Sequence, residues 1–499
     1  MRSTESRSGG IRRRGSSAAN GGVASGSVRR TTAAAVIALA LGSASCTVGP
    51  DYHRPPVSAP ATFRGIEPGV PPGPQTLVDL AWWEYYQDPV LQSLIGTAIA
   101  ENYDLRVAVA RIIDARAQVT IARSFQFPEL SGSSSAIYSR VEGGLGTLQF
   151  RDTFQPVGSL DLSYEVDFWG RYRRGTEAAR ADLLSTEESR RFIITALVSD
   201  VAAAYVQLRS LDLELAVARD TLASRRESLR LVTMREEGGV AALIDVRQAE
   251  ILVAGALQVI PDTERQIEQT ENAIAILLGH SPEPIPRSLP LGQLPSFPSV
   301  PPGVPSELLE RRPDVRQAEA LLAAATARIG VAKSDYFPRV FLTGSAGVGG
   351  LMINGSWFGP QGLFAIGPSL TVPIFNSGRV GAGVTSAEAR AQAALDQYQQ
   401  TILQAFRDVS DSLVEAKKRR EFRIDQEALL VAAEDTTRLA NIRYLGGVSS
   451  YLEVLDSDRQ RFEAALNLVR AVRDERLAAV RLYKSVGGGW QDVPGPAVR

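Results

Sequence analysis

Cysteine is all but missing: Cys46 is the only one in 499 residues, so no intramolecular disulfide can form. Histidine occurs twice, as His53 and His280 beside Pro-rich or Gly turns, and no His/Cys spacing suits a metal. There is no Gly-rich phosphate loop and no convergent set of nucleophile, base and oxyanion donors. The sequence therefore gives no reason to expect an enzyme or a cofactor. Charge of one sign is missing too. Lys+Arg 54 against Asp+Glu 55 leaves a net charge of −1, which argues against nucleic acid as a partner. Aromatics make up only 7%, while hydrophobic residues make up an ordinary 44%, enough for a packed core. The apolar run 31–45 is too short to cross a bilayer, which takes about 20 residues.

That run has another use. Seven Arg lie within residues 2–30, followed by TTAAAVIALALGSAS, the layout of a secretory signal over 1–45, with a leader long for its kind. Cys46 follows at once and is expected to be the acylated first residue of a lipoprotein. The alternative is cleavage nearby with an unmodified thiol; Leu is usual three residues before such a Cys, and here the nearest is Leu41. A lipid chain contributes about 0.8 kcal/mol per buried methylene and would tether the N-terminus without spanning the bilayer.

Residues 46–80 read as an extended lead, with eight Pro in 49–76, and 281–305 as a linker with nine Pro in 25. The linker separates two repeats, 81–280 and 306–487, with a C-terminal tail over 488–499. YDLRVAVARIIDARAQVTIARSFQFPEL (103–130) aligns with PDVRQAEALLAAATARIGVAKSDYFPRV (313–340), and ten residues between 104 and 128 recur 210 positions later. REEGGVAALIDV (235–246) pairs with RYLGGVSSYLEV (443–454) at a spacing of 208. Two blocks in one order at nearly one spacing indicate duplication.

Each repeat is expected to run from a helix ending in Phe-Pro, through two strands, into a long helical hairpin turning at Gly-Gly-Val. Apolar residues from Val198 through Val201, Tyr205, Leu208, Leu211, Leu215, Ala218 and Leu222 keep a heptad-like spacing, as do Leu395, Tyr398, Ile402, Phe406, Val409 and Leu413. The hairpins are placed at 173–279, with an interruption near Pro261, and at 382–485. Strands are expected near 130–138, 159–168, 339–347 and 363–375, joined by the Gly/Ser-rich segments 139–157 and 348–362. Four strands cannot close a barrel, and lipid does not tolerate open sheet edges. If the strands are transmembrane, several chains must share one barrel.

AWWEYYQDPVLQSLI (81–95), ENYDLRVAVARIIDARA (101–117), LLERRPDVRQAEALLAAATARIGVAKSDYFP (308–338) and LTVPIFNSGR (370–379) resemble the outer membrane efflux protein family of TolC-like channels. CTVGPDYHRP (46–55) is similar to the mature N-terminus of its NodT-type lipoprotein branch, which serves resistance-nodulation-division pumps. The resemblance covers essentially 46–487. It implies a mixed membrane α+β fold: a homotrimer, four transmembrane strands per chain in a twelve-stranded outer-membrane barrel, and a long periplasmic α-helical barrel. The implied function is passive export of small molecules or drugs. The implied partners are a periplasmic adaptor (membrane fusion) protein, an inner-membrane resistance-nodulation-division pump and outer-membrane lipid. The alternatives are a type I secretion or heavy-metal channel, or a periplasmic coiled-coil adaptor.

The resemblance also assigns positions. Leu452 and Asp456, with Arg459 beyond, fall where related channels narrow at their periplasmic end; the alternative is helix packing and a surface ion pair. Gly238, Gly239, Gly446 and Gly447 are the hairpin tips expected to meet the adaptor, or simply turns. In SLDLSYEVDFWG (159–170), Leu160, Leu162, Tyr164, Val166 and Phe168 are expected to face lipid, and Asp161, Glu165 and Asp167 a water-filled lumen. Trp169 is expected at the membrane interface, or as ordinary packing.

Overall fold

The computed structural model describes residues 47–57, 60, 63–64, 80–142, 150–295, 297–298 and 310–490. The chain divides at Thr47/Val48, and every element below belongs to the second unit, Val48–Arg499. The signal segment, Cys46 and residues 491–499 of the tail lie outside the described residues.

After a helical turn α1 (Trp82–Tyr85) come α2 (Pro89–Glu101) and α3 (Tyr103–Ser124), then strands β1 (Glu129–Glu142) and β2 (Phe150–Val166). The first hairpin is α4 (Arg171–Glu237) returning through α5 (Leu243–Leu257) and α6 (Val259–Leu278). The second repeat follows with α7 (Pro313–Ser334), β3 (Arg339–Ile353), β4 (Ser356–Thr371), α8 (Arg379–Leu445) and α9 (Tyr451–Ser485). Helices α3 and α7 both have 22 residues, and α4 and α8 both have 67. At a rise of about 1.5 Å per residue, 67 residues extend about 100 Å.

The helix ends follow from local chemistry. Asp88 caps α2 by accepting from the Val90 and Leu91 amides, and Asn102 caps α3 by accepting from Leu105. Phe127-Pro128 and Phe337-Pro338 stop α3 and α7, since the residue before Pro is pushed out of helix. The return arm of the first hairpin breaks at Gln258, three residues before Pro261, whose missing N–H and ring disturb the preceding turn. The second return arm has no Pro there and is unbroken over 35 residues.

The heptad-like seams are the core. Val198, Val201, Tyr205, Leu208 and Leu211 of α4 are buried in one cluster with Tyr398, Ile402, Phe406 and Val409 of α8, joined by Ile95, Val315 and Tyr483. Each such side chain contributes about 1.5–3 kcal/mol by leaving water. Within this core Tyr85 stacks on Tyr483 at 4.2 Å, tying α1 to α9.

The strands make one antiparallel sheet in the order β1-β2-β3-β4, so β1 and β4 are both edges. All four strands extend beyond their expected bounds at one end or both. The expected connector 348–362 is absent as a loop: β3 turns into β4 at Asn354-Gly355, both with positive φ (47° and 83°), and Trp357-Phe358 lie within β4. At the other boundary β2 stops at Val166, so Asp167 and Phe168 fall past its end, and β4 stops at Thr371, so 372–375 fall past its end. The expected connector 139–157 is in part strand, and Pro156 sits inside β2. It pairs with Ala136 of β1, while the β2–β3 ladder skips Gln155 and Pro156 without changing register, level with the shift in the β3–β4 pairing between Gly349 and Leu351.

The N-terminal strap is threaded along the start of the helices. Val48 N–H donates to the Trp169 carbonyl at 3.0 Å. Gly49 lies against Gly330, where a Cβ on Gly49 would stand 2.5 Å from the Gly330 Cα. Arg174, almost wholly buried, reaches Asp51 at 2.6 Å and Glu177 at 2.8 Å, and Tyr52 donates to Glu319 at 3.1 Å.

Candidate functional site

The residues singled out in the sequence fall in two regions: the faces of the sheet and the far ends of the helical hairpins.

Strand register sorts the sheet's residues by face. One face holds Leu130, Leu160, Leu162, Tyr164, Val166, Val340, Leu342, Phe364, Ile366 and Leu370. It ends in a row crossing all four strands, Tyr138–Phe154–Met352–Trp357, with the Arg140–Asp152 ion pair (2.6 Å) one step beyond. From Val166 to Phe154 is twelve residues, about 40 Å along the strand and, at a tilt of about 40°, about 30 Å along the membrane normal, the thickness of a bilayer's hydrocarbon. Leu160, Phe364, Ile366 and Leu370 are exposed, an apolar surface that a water-soluble sheet would cover. The opposite face carries Ser131, Ser133, Ser159, Asp161, Ser163, Thr343, Ser345 and Glu165. Asp161 and Glu165 thus share the polar face, and Asp167 follows just past the strand.

Trp169 is engaged inside the strand-to-helix junction. Its indole stacks on Phe337 at 4.5 Å and its Nε1–H donates to the Pro338 carbonyl at 2.8 Å, joining the two repeats. The aromatic row at the far end of the sheet is not marked by alternation in the sequence, since Phe154 and Trp357 fall in the segments 139–157 and 348–362 expected as connectors.

At the other end of the molecule, both tips close in the same way. Val240 N–H donates to Arg235 O (2.8 Å) and Gly239 N–H to Glu236 O (2.8 Å); Val448 donates to Arg443 (2.9 Å) and Gly447 to Tyr444 (3.0 Å). This is the Schellman closure, with Gly239 (φ 73°) and Gly447 (φ 72°) in the left-handed region. Gly238 and Gly446 have ordinary helical backbone (φ −77° each). All four glycines are exposed, beside exposed Val240, Leu243, Ile244, Leu445 and Val448. The apolar residues that follow each Gly-Gly were the available sign of a contact surface there.

Behind the tips, Val232, Val246 and Leu252 pack with Tyr444, Tyr451, Val454 and Leu455, so the two hairpins share one small core. Burial pushes the Tyr451 phenol up to about 12. On the outside of α9, Leu452, Asp456 and Arg459 are all exposed, on one face at helical spacing. Asp456 accepts from Gln460 Nε2 at 2.7 Å rather than from Arg459. Asp458, which the sequence reading did not single out, is buried. It pairs with Arg225 of α4 at 2.7 Å and Arg461 at 2.9 Å, and Arg225 also donates to the Leu252 carbonyl at 2.8 Å.

His280 bridges Glu283 (2.7 Å) and Glu101 (3.1 Å), and its hydrogen bonds to them, Glu283 first, raise its pKa. Among the described residues no cluster of three or more His, Cys, Asp or Glu could hold a metal ion.

A sheet apolar on one face and polar on the other, set on helices about 100 Å long, defines a membrane channel subunit with a large extramembrane helical part. The chain belongs to the outer membrane efflux protein family, whose model matches twice, over residues 94–280 and 304–488. It is a channel family rather than an enzyme family, and its members lie in the outer membrane. The chain is 36% identical to the probable efflux pump outer membrane protein TtgC of Pseudomonas putida, over 93% of this chain and 96% of that one. It is 30% identical to the probable outer membrane lipoprotein SilC of Salmonella typhimurium, over 89% and 95%. The solved outer-membrane channel OprN superposes with a TM-score of 0.81 at 32% identity, over 89% of this chain and all of that one.

Proposed function

We propose that three copies of this chain join their sheets edge to edge into one twelve-stranded barrel, and that the trimer is the outer-membrane exit of a tripartite efflux pump. The observation that carries this reading is the sheet itself: two faces, two unpaired edges and too few strands to close alone. The apolar face meets lipid, the polar face lines a water-filled lumen, and small molecules pass through passively. An inner-membrane resistance-nodulation-division pump supplies the energy through a periplasmic adaptor. TtgC's description as part of an efflux pump supports that assignment. The protein should fractionate with the outer membrane and run as a trimer that dissociates on heating; a soluble monomer would reject the reading.

Cys46 carries the lipid anchor. SilC's description as a lipoprotein favours this, and Val48, two residues on, is hydrogen-bonded at the strand-to-helix boundary, where the apolar face of the sheet ends. Leu452, Asp456 and Arg459 form the periplasmic constriction. The two repeats 81–280 and 306–487 each supply one strand pair and one helical hairpin, whose tips meet the adaptor. The tip glycines divide into two kinds. Gly239 and Gly447 need their positive φ, whereas Gly238 and Gly446 do not and can carry a side chain without backbone strain. Gly238→Trp combined with Gly446→Trp should therefore leave trimers intact and lower adaptor co-purification about tenfold, by obstructing close backbone approach. Undiminished co-purification would assign the tips to turn geometry alone.

A further inference from the structure

The three acids of the β2 region are not equivalent. Glu165 accepts from the Tyr172 hydroxyl at 2.7 Å and has the Arg171 guanidinium at 4.0 Å. Asp167 accepts from the Arg173 amide at 2.9 Å and has the Arg173 Nε at 3.5 Å. Both carboxylates are matched by a cation in the first turn of α4. Asp161 is different: its Oδ2 accepts from Ser133 Oγ at 2.8 Å and Ser159 Oγ at 2.9 Å, and among the described residues no cation pairs with it. Its cross-strand neighbours on the polar face are Ser131 and Ser345. The hydroxyls favour the ionised carboxylate without neutralising it, and two bonds to one oxygen fix where the charge sits. Among the described residues the other acid on this face with no cation paired to it is Glu129, opposite Ser163 at the start of β1; the cations on the face are Arg151, beyond the level of the aromatic row, and Arg339, which pairs with Asp335 at 2.6 Å.

We propose that Asp161 determines the charge selectivity of the strand-domain lumen, favouring cationic over anionic solutes. This rests on the trimeric-barrel reading, in which Asp161 recurs at one level as three carboxylates around the pore. Glu165 and Asp167, cancelled by Arg171 and Arg173, contribute little to the field. The favoured cargo class is then small amphiphiles bearing an ammonium or amidinium group. Anions of the same size meet a repulsive ring about midway between the aromatic row and the end of β2.

The test is ion selectivity of the full-length purified channel in planar bilayers, read as the reversal potential under a KCl gradient. It is measured in the wild type and again with Asp456→Ala, so that carboxylates at the periplasmic end do not dominate. In both backgrounds Asp161→Asn should lower the cation-to-anion permeability ratio at least about twofold. Asparagine keeps the size and the acceptor oxygen, and trimer content on unheated gels reports folding. Glu165→Gln combined with Arg171→Gln, which removes a neutral pair, should leave the ratio unchanged. An unaltered ratio in Asp161→Asn trimers, or an equal loss with that paired variant, overturns the proposal while the channel reading stands. Wild-type protein that forms no pores overturns the barrel reading and this proposal with it.

Discussion

Replacing Leu452 and Asp456 together by Ala should raise single-channel conductance on the order of tenfold, by removing a dry constriction that gates through dewetting. Leu452 is 62% exposed within its own chain, on the side of α9 facing away from the core formed by Tyr451, Val454 and Leu455. A leucine so placed contributes little to the fold of one subunit, and trimming it should change stability by less than about 0.5 kcal/mol. Around a threefold axis, however, three such side chains meet, and water leaves a narrow apolar ring. Asp456 sits one turn away and is held by Gln460 rather than neutralised by Arg459, so three copies repel one another and draw cations to the entrance. The double substitution removes both the dry ring and the charged one. If conductance stays at the wild-type value while trimers form normally, Leu452 and Asp456 are surface residues and the constriction lies elsewhere. An intermediate comparison separates the two terms. Leu452→Ala alone should account for most of the conductance gain, and Asp456→Ala alone should act mainly on ion preference at the entrance.

Periodicity made the helices legible. The buried seams of α4 and α8 are the heptad-spaced residues, because a helix burying one stripe over many turns must repeat that stripe in sequence. The duplication was legible for a similar reason: two copies of one unit keep Phe-Pro stops and Gly-Gly turns at equal offsets. Strand lengths were not legible. Small residues at Ser131, Ser133, Gly344 and Gly347 satisfy a lumen or a crowded lipid face without strong alternation. Asn354-Gly355 was a two-residue hairpin signal inside a stretch taken for a connector because it is Gly-rich. The hardest feature was the partner of Asp458. Arg225 lies 233 positions away, and nothing in either neighbourhood marks them as a pair. Only folding both hairpins against each other brings them together. The same holds for the unequal roles of Asp161, Glu165 and Asp167, which alternation alone treats as one set.

That distant pair sets the second large effect. Asp458→Ala should destabilise the hairpin ends by about 3–5 kcal/mol, the usual consequence of stripping a buried charge of its partner. Arg225 has a side chain only 5% exposed, and its counter-charge is Asp458. Without it the guanidinium keeps the Leu252 carbonyl and the face of the Phe462 ring at 4.8 Å, neither of which carries a full negative charge. The reverse change, Arg225→Ala, should cost less, because Asp458 retains Arg461 at 2.9 Å, and Arg461 is itself partly in water. The ordering of the two single variants is therefore a stronger check than either value. A third variant separates charge from packing. Arg225→Met with Asp458→Leu removes both charges and refills the volume with apolar atoms, and such replacements are often neutral or stabilising. Thermal melting of the detergent-solubilised trimer should rank Asp458→Ala lowest, Arg225→Ala intermediate, and the double variant near the wild type. Protease cleavage near 238–247 should follow the same order, since α5 is tied to α4 through Arg225 and Leu252. Equal melting of the two single variants would mean that water reaches Arg225 in the folded protein. The contact between the hairpin ends would then rest on the apolar cluster of Val246, Tyr451 and Leu455.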